Sequence, residues 1–187
     1  MATERRYQPF MHKSQDIHEA FVRGELKVLR SLLGDPENFP NCPGPPGFCD
    51  NILEYAIYHS PISLIRALLE LGADPNYQDP AGFPSLIATL SALDSASRYE
   101  VLQLLLEFGA DVQERGHNDY TPLHYAANLQ DIQAMEILLA HGADLNARTR
   151  IDDYATPLEE MEILGRDQSV DFLRKAQVKV LKPIKSR

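Results

Sequence analysis

At 187 residues with 44% hydrophobic side chains, the chain is long enough for one compact domain, or one short solenoid, with a continuous apolar core. Its net charge of −9 is unevenly placed: residues 1–173 hold twelve basic against all 27 acidic side chains, a net −15, while Arg174, Lys175, Lys179, Lys182, Lys185 and Arg187 give the remainder +6. An acidic body repels nucleic-acid phosphates and anionic membranes, so neither is expected as a partner, and it attracts basic proteins.

Taken in chain order, Met1-Ala-Thr-Glu-Arg-Arg6 is polar and lacks the hydrophobic stretch of a secretory signal, and no later run of about 18 apolar residues reads as a membrane span. The expected address is cytoplasmic. Residues 35–49 form a segment too rich in Pro and Gly for helix or central strand. It holds both cysteines, Cys42 and Cys49, which lack the paired His or Cys of a zinc site. A loop disulfide and two plain thiols remain the alternatives there.

Three segments then nearly superpose: Leu68 to Asn76, Leu105 to Gln113, and Leu138 to Asn146, each carrying Gly-Ala-Asp. Their glycines, Gly72, Gly109 and Gly142, lie 37 and 33 residues apart, which implies stacked supersecondary units. The physics of one unit reads from Asn118 to Asn146. Thr121 offers a hydroxyl to the free amides of a helix start, and Pro122 suits the first turn, where its missing N–H is no loss. Leu123, Ala126 and Ala127 give that helix a small apolar face. After a break at Leu129-Gln130-Asp131, the apolar residues Ile132, Met135, Ile137, Leu138 and Leu139 predict a second, antiparallel helix, which Gly142 ends. Residues 146–153 should project as an extended hairpin before Thr156-Pro157-Leu158 starts the next helix.

Thr121-Pro-Leu-His-Tyr-Ala-Ala127 followed by Ile137-Leu-Leu-Ala-His-Gly-Ala-Asp144 resembles the ankyrin repeat. The resemblance implies an all-α solenoid of about five helix-turn-helix repeats with projecting β-hairpin loops. It covers residues 14–176, with repeats at about 14–34, 50–77, 83–113, 119–147 and 154–176. The first lacks Gly-Ala-Asp, as an N-terminal cap would. In the second, Asn51 replaces Thr and can still cap. The third holds four extra residues between its helices, so the connection from Ser91 to Arg98 should bulge. The fifth turns polar in its second helix, as a C-terminal cap facing water requires. Outside the repeats lie an N-terminal extension (1–13), the irregular 35–49 loop and a basic tail (177–187). In that tail Val178, Val180 and Ile184 alternate with lysines, which suits a disordered segment or a strand formed on binding.

The resemblance also implies a function, the capture of a partner protein on the face lined by hairpins and first helices. By alignment, that face takes Asp79, Pro80, Ala81 and Phe83, then Arg115, His117, Asn118 and Tyr120, then Arg148, Arg150, Ile151, Asp152 and Tyr154. The ends of the first helices add Tyr58, His59, Asn128 and Leu129. Tyr, Phe and Arg are frequent interface anchors. Phe83, Tyr120 and Tyr154 share one aligned position, either as anchors or as rings that stiffen the stack. The expected molecule is a monomeric adaptor or inhibitor of an unidentified, basic protein. The alternative is a regulator acting through the 35–49 loop or the basic tail.

No chemistry is expected beside this. His124 falls where the family's Thr-Pro-Leu-His motif places a buried structural histidine. His117 and His141 lack a Cys or Ser to activate. Glu159, Glu160 and Glu162 read as a solvated helix face, and no phosphate-binding or metalloprotease motif occurs. The chain is thus expected to be no enzyme and to need no cofactor or metal. Leu68 to Asn76 and Leu138 to Asn146 also resemble sites of asparagine hydroxylation in animal ankyrin repeats. The same asparagines hold the hairpin in the family.

Overall fold

A computed structural model describes residues 4–44, 50–77, 81–92, 97–151 and 154–181. They form ten α-helices in five consecutive pairs: α1 (Glu4–Arg23) with α2 (Leu26–Leu32), α3 (Ile52–His59) with α4 (Ile62–Glu70), α5 (Ser85–Ser91) with α6 (Arg98–Glu107), α7 (Pro122–Asn128) with α8 (Ile132–Ala140), and α9 (Pro157–Ile163) with α10 (Asp167–Leu181). The odd-numbered helices contact one another in sequence order, and α4, α6, α8 and α10 do the same. Two parallel layers result, with the core between and within them.

Local chemistry accounts for the helix starts. The Thr121 hydroxyl accepts from His124 N, and Thr156 does the same for Glu159 N while the Glu159 carboxylate takes Thr156 N at 2.9 Å, a reciprocal capping box. Asn51 Oδ1 accepts from Leu53 N and Glu54 N, so the substituted second repeat is capped as expected. Gly72, Gly109 and Gly142 follow the second helices with φ of 91°, 89° and 91°, the left-handed region that glycine enters at least cost. The core is a continuous run of Leu, Ile and Ala: Leu53, Leu68, Ile87, Leu102, Leu123, Met135 and Leu138 are all buried.

Three expectations are corrected. The described residues contain no strand, so no β-hairpin ladder is seen among them; the loop tips at 78–80 and 152–153 lie outside the described residues. Gly116 N to Tyr120 O (2.9 Å) and Thr149 N to Ala155 O (3.0 Å) close two of the loops, spans too short to propagate a ladder. The N-terminal extension is not separate, because α1 begins at Glu4. Likewise α10 continues to Leu181, so residues 177–181 are helix; 182–187 lie outside the described residues. Gln177, Lys179 and Leu181 are good helix formers there, and Phe172 and Ala176, four residues apart, keep apolar groups on one side of the helix that leads into it. α10 is largely polar in sequence, while Leu173 is fully buried and Phe172 and Ala176 pack against the core.

Neighbouring units are tied by a repeated amide rung. Asn76 Nδ2 donates to Gly109 O (3.0 Å) and its Oδ1 accepts from Asp111 N (2.7 Å). Asn41 makes the same pair of bonds to Gly72 O (2.7 Å) and Asp74 N (2.8 Å), although it comes from the Pro-rich segment rather than a Gly-Ala-Asp motif. Gln113 Nε2 reaches Gly142 O at 3.3 Å. Beside Asn41, Cys42 is buried, which pushes its thiol pKa up; Cys49 lies outside the described residues.

Candidate partner-binding face

The loop ahead of α7 is the most densely bonded part of the expected face. His117–Asp119 forms one 3₁₀ turn, with Asn118 and Asp119 at φ of 57° and 58°. That turn aims the Asp119 carboxylate at two arginines. Arg115 Nη1 meets it at 2.8 Å from within the same loop. Arg150, 31 residues later, meets it through Nη2 (2.7 Å) and Nε (3.0 Å) and adds its backbone N–H. Burial alone would raise the Asp119 pKa, but these hydrogen bonds and charges hold it below the ordinary carboxylate value. Asp119 is therefore the clasp between two successive loops.

Several of the other expected contact residues on this edge also have partners. Arg148 forms a two-point pair with Glu159 (2.8 and 2.9 Å) and donates to Tyr154 O. Tyr120 donates to Glu160 at 2.6 Å and its ring lies parallel to His124. Phe83 stacks on His117 with the ring planes 2° apart. Phe83 thus packs on the following loop and Tyr120 on α7, while Tyr154 is 61% exposed. Glu159, Glu160 and Glu162, read as a solvated face, each hold a partner, Glu162 pairing with Arg174 at 2.7 Å. Ile151 is exposed; Asp79, Pro80 and Asp152 lie outside the described residues. Ala81 is exposed at the start of its described loop.

His124 is fully buried beneath these loops. Its Nε2 lies 3.2 Å from the carbonyl of Ala155, which can only accept, so the proton sits on Nε2 and Nδ1 accepts from the Thr121 hydroxyl at 2.8 Å. Burial pushes its pKa down to about 4, and the imidazole is neutral at pH 7. It joins one loop to the next helix start and has neither free nitrogen nor exposure for proton transfer.

The opposite ends of the odd-numbered helices carry a different surface. Aligning the pairs on the starts of their second helices brings Val22 and Arg23, Tyr58 and His59, Asn128 and Leu129, and Ile163 and Leu164 into register. Val22, Tyr58, Leu129, Ile163 and Leu164 are 37% to 60% exposed. Tyr58 and Leu129 were expected here; Val22, Ile163 and Leu164 were missed, though the repeat register carried the signal. Tyr58 bonds Ser91 Oγ at 3.0 Å and Asn128 accepts from Arg166, so neighbouring units are linked along this edge. His59 stacks on Tyr55 beside His18, and burial together with the charge of His18 lowers its pKa.

A family model for ankyrin repeats, in three copies, matches residues 85–179. The chain belongs to the ankyrin-repeat family. Relatives from animals, bacteria, plants and yeast align with it. It is 31% identical over 120 residues to alpha-latrocrustotoxin-Lt1a of Latrodectus tredecimguttatus, an alignment covering 64% of this chain and 8% of the toxin. Protein PhlB of Serratia liquefaciens is 41% identical over 69 residues, 37% of this chain and 30% of that protein. SH3 and multiple ankyrin repeat domains protein 2 of Homo sapiens is 32% identical over 112 residues, 59% of this chain and 6% of its own. The chain thus spans less than a third of the length of each.

Ankyrin repeats generally serve as protein–protein interaction modules, and the fold is an interaction scaffold. Among the described residues no group of three or more His, Cys, Asp or Glu could hold a metal ion, and no helix is long and apolar enough to cross a membrane.

Proposed function

We propose that this ankyrin stack is an adaptor or inhibitor that captures one protein partner on the face bounded by its loops and the ends of its first helices, with no catalytic role. The observation that carries this reading is the aligned series of exposed apolar side chains, Val22, Tyr58, Leu129, Ile163 and Leu164, repeated along the helix ends of the stack. Exposed aromatic and aliphatic groups on rigid helix ends lose little freedom when covered, which favours their use as anchors. Ile151 and Tyr154 extend the surface at the last loop. Arg115, Arg148 and Arg150 act mainly by holding the loops in shape, and the acidic body steers a basic partner.

The test begins with affinity capture from the source organism and continues with titration of the purified partner. Replacing Leu129 and Ile163 by Glu should weaken binding at least about ten-fold, the loss of about 1.4 kcal/mol, while the thermal midpoint stays in place because both side chains are exposed. Unchanged affinity in that variant would refute the assignment.

A further inference from the structure

Along the other layer, α10 leaves an open groove of about 870 Å³ against α8 and the loop that follows it. Leu139 and Leu145 line one side; Phe172, Ala176 and Val178 line the other, with Val178 52% exposed. The charge at this groove is opposite to that of the body. Arg174, Lys175 and Lys179 line it, against Glu136 as the one acidic lining residue. Arg174 is already paired with Glu162, whereas Lys175 and Lys179 have no carboxylate within 4.0 Å among the described residues.

We propose that the groove between α8 and α10 is a second docking site, and that its occupant is an acidic amphipathic helix of a partner protein. Shape and charge select this class together. The groove is an open trough rather than an enclosed cavity, which suits an element laid along it. A helix that places apolar side chains at i, i+3, i+4 and i+7 fills such a trough with one face. Lys175 and Lys179, one turn apart on α10, then meet carboxylates on its flank. The remainder of the chain, at −15 over residues 1–173, repels an acidic segment, while Arg174, Lys175 and Lys179 draw it to this groove. The site is separate from the loop and helix-end face, so either can fail without the other.

A phage-displayed library of amphipathic peptides of about 16 residues, a helix of about 24 Å, should be panned on the full chain. The enriched sequences should be acidic, with apolar residues at helical spacing. The best of them, made synthetically and followed by fluorescence anisotropy, should bind at least about ten-fold more weakly to a V178D/K175E/K179E variant. K175R/K179R should retain binding, and L129E/I163E should leave it unchanged. Thermal midpoints of all variants confirm that the fold is kept. Failure to enrich any sequence, enrichment of basic or neutral ones, or affinity indifferent to the triple variant would overturn the proposal. So would a concentration-dependent dimer that V178D abolishes, which would make a second copy the occupant. Saturable binding of a fluorescent fatty acid, lost in V178D and displacing the peptide, would make the groove a lipid site instead.

Discussion

The buried His124 should give the fold a specific sensitivity to acid. The imidazole is neutral when folded, with its pKa held near about 4 by burial, whereas in the unfolded chain it titrates at the ordinary value of 6.5. Its contribution to stability is therefore complete above pH 6.5 and is lost as the pH falls from there towards 4, because the unfolded state takes up the proton first. At about 1.4 kcal/mol per pKa unit, the loss comes to about 3 kcal/mol. His124→Gln keeps a donor for Ala155 O and an acceptor for the Thr121 hydroxyl, so it should cost only about 1–2 kcal/mol at pH 7.5. It removes the titration altogether. Urea denaturation followed by circular dichroism should then show two stability curves that cross between pH 6.5 and 4, with the variant the more stable at the acid end. Glu114 works in the opposite sense. Burial, then the charges of Asp111 and Asp74, raise its pKa to about 6, so the folded state gains a proton first and is favoured as the pH falls to about 4.5. It is partly exposed, and solvent screening cuts that gain to about 1 kcal/mol. Because Glu114 and His59 are common to both proteins, the difference between the curves isolates His124. Parallel curves from pH 7.5 to 4 would refute the reasoning.

Asp119→Asn keeps a side chain that tolerates the left-handed backbone but releases Arg115 and Arg150; equilibrium unfolding should show a loss of about 1–3 kcal/mol, and hydrogen exchange should quicken at Arg150 N. Asn41→Ala should cost about 1–2 kcal/mol, close to the effect of Asn76→Ala, since each removes the same two bonds. If Asn41→Ala proves neutral, the Pro-rich segment is not part of the stack. Gly116→Ala sets a methyl 2.5 Å from Gly82 O and 2.6 Å from Ile87 Cδ1, too close for either loop to yield locally. Its thermal midpoint should fall by several degrees, equivalent to about 2–3 kcal/mol.

Those residues also show which parts of the molecule could be read in one dimension. Thr121 and Asn51 act on amides two or three residues away, and Pro122 and the glycines after the second helices act through their own backbone, so their roles follow from local spacing. Arg150 and Asp119 are partners across 31 positions and Tyr120 and Glu160 across 40. Nothing local distinguishes an arginine that will find such a carboxylate from one left for a visitor. Asn41 was hidden because the rung it makes is normally announced by Gly-Ala-Asp, and this segment reaches the same geometry by another route. In the tail, Val178 and Val180 alternate like a strand. The deciding signal was the longer one, the spacing of Phe172, Leu173 and Ala176 that continues the helix already under way. The same contrast explains the helix ends: Val22, Ile163 and Leu164 were legible only through the register of the pairs, not through their own neighbours.

The amide rungs set a direction to the molecule. Asn41 and Asn76 each clamp the unit that follows with two bonds and Gln113 with one longer bond, whereas Asn146, among the described residues, bonds within its own loop to Asp144. In a stack where each unit touches only its neighbours, partial opening starts where the coupling is weakest and travels inward. The last unit is held instead by the Arg150–Asp119, Tyr120–Glu160, His124–Ala155 and Ser169–Ala127 bonds, so fraying should begin with α1 and α2, which share the least helix contact with their neighbours. The groove beside α10 then lies at the end that opens later, so a segment docked there meets a formed site even while the first unit breathes.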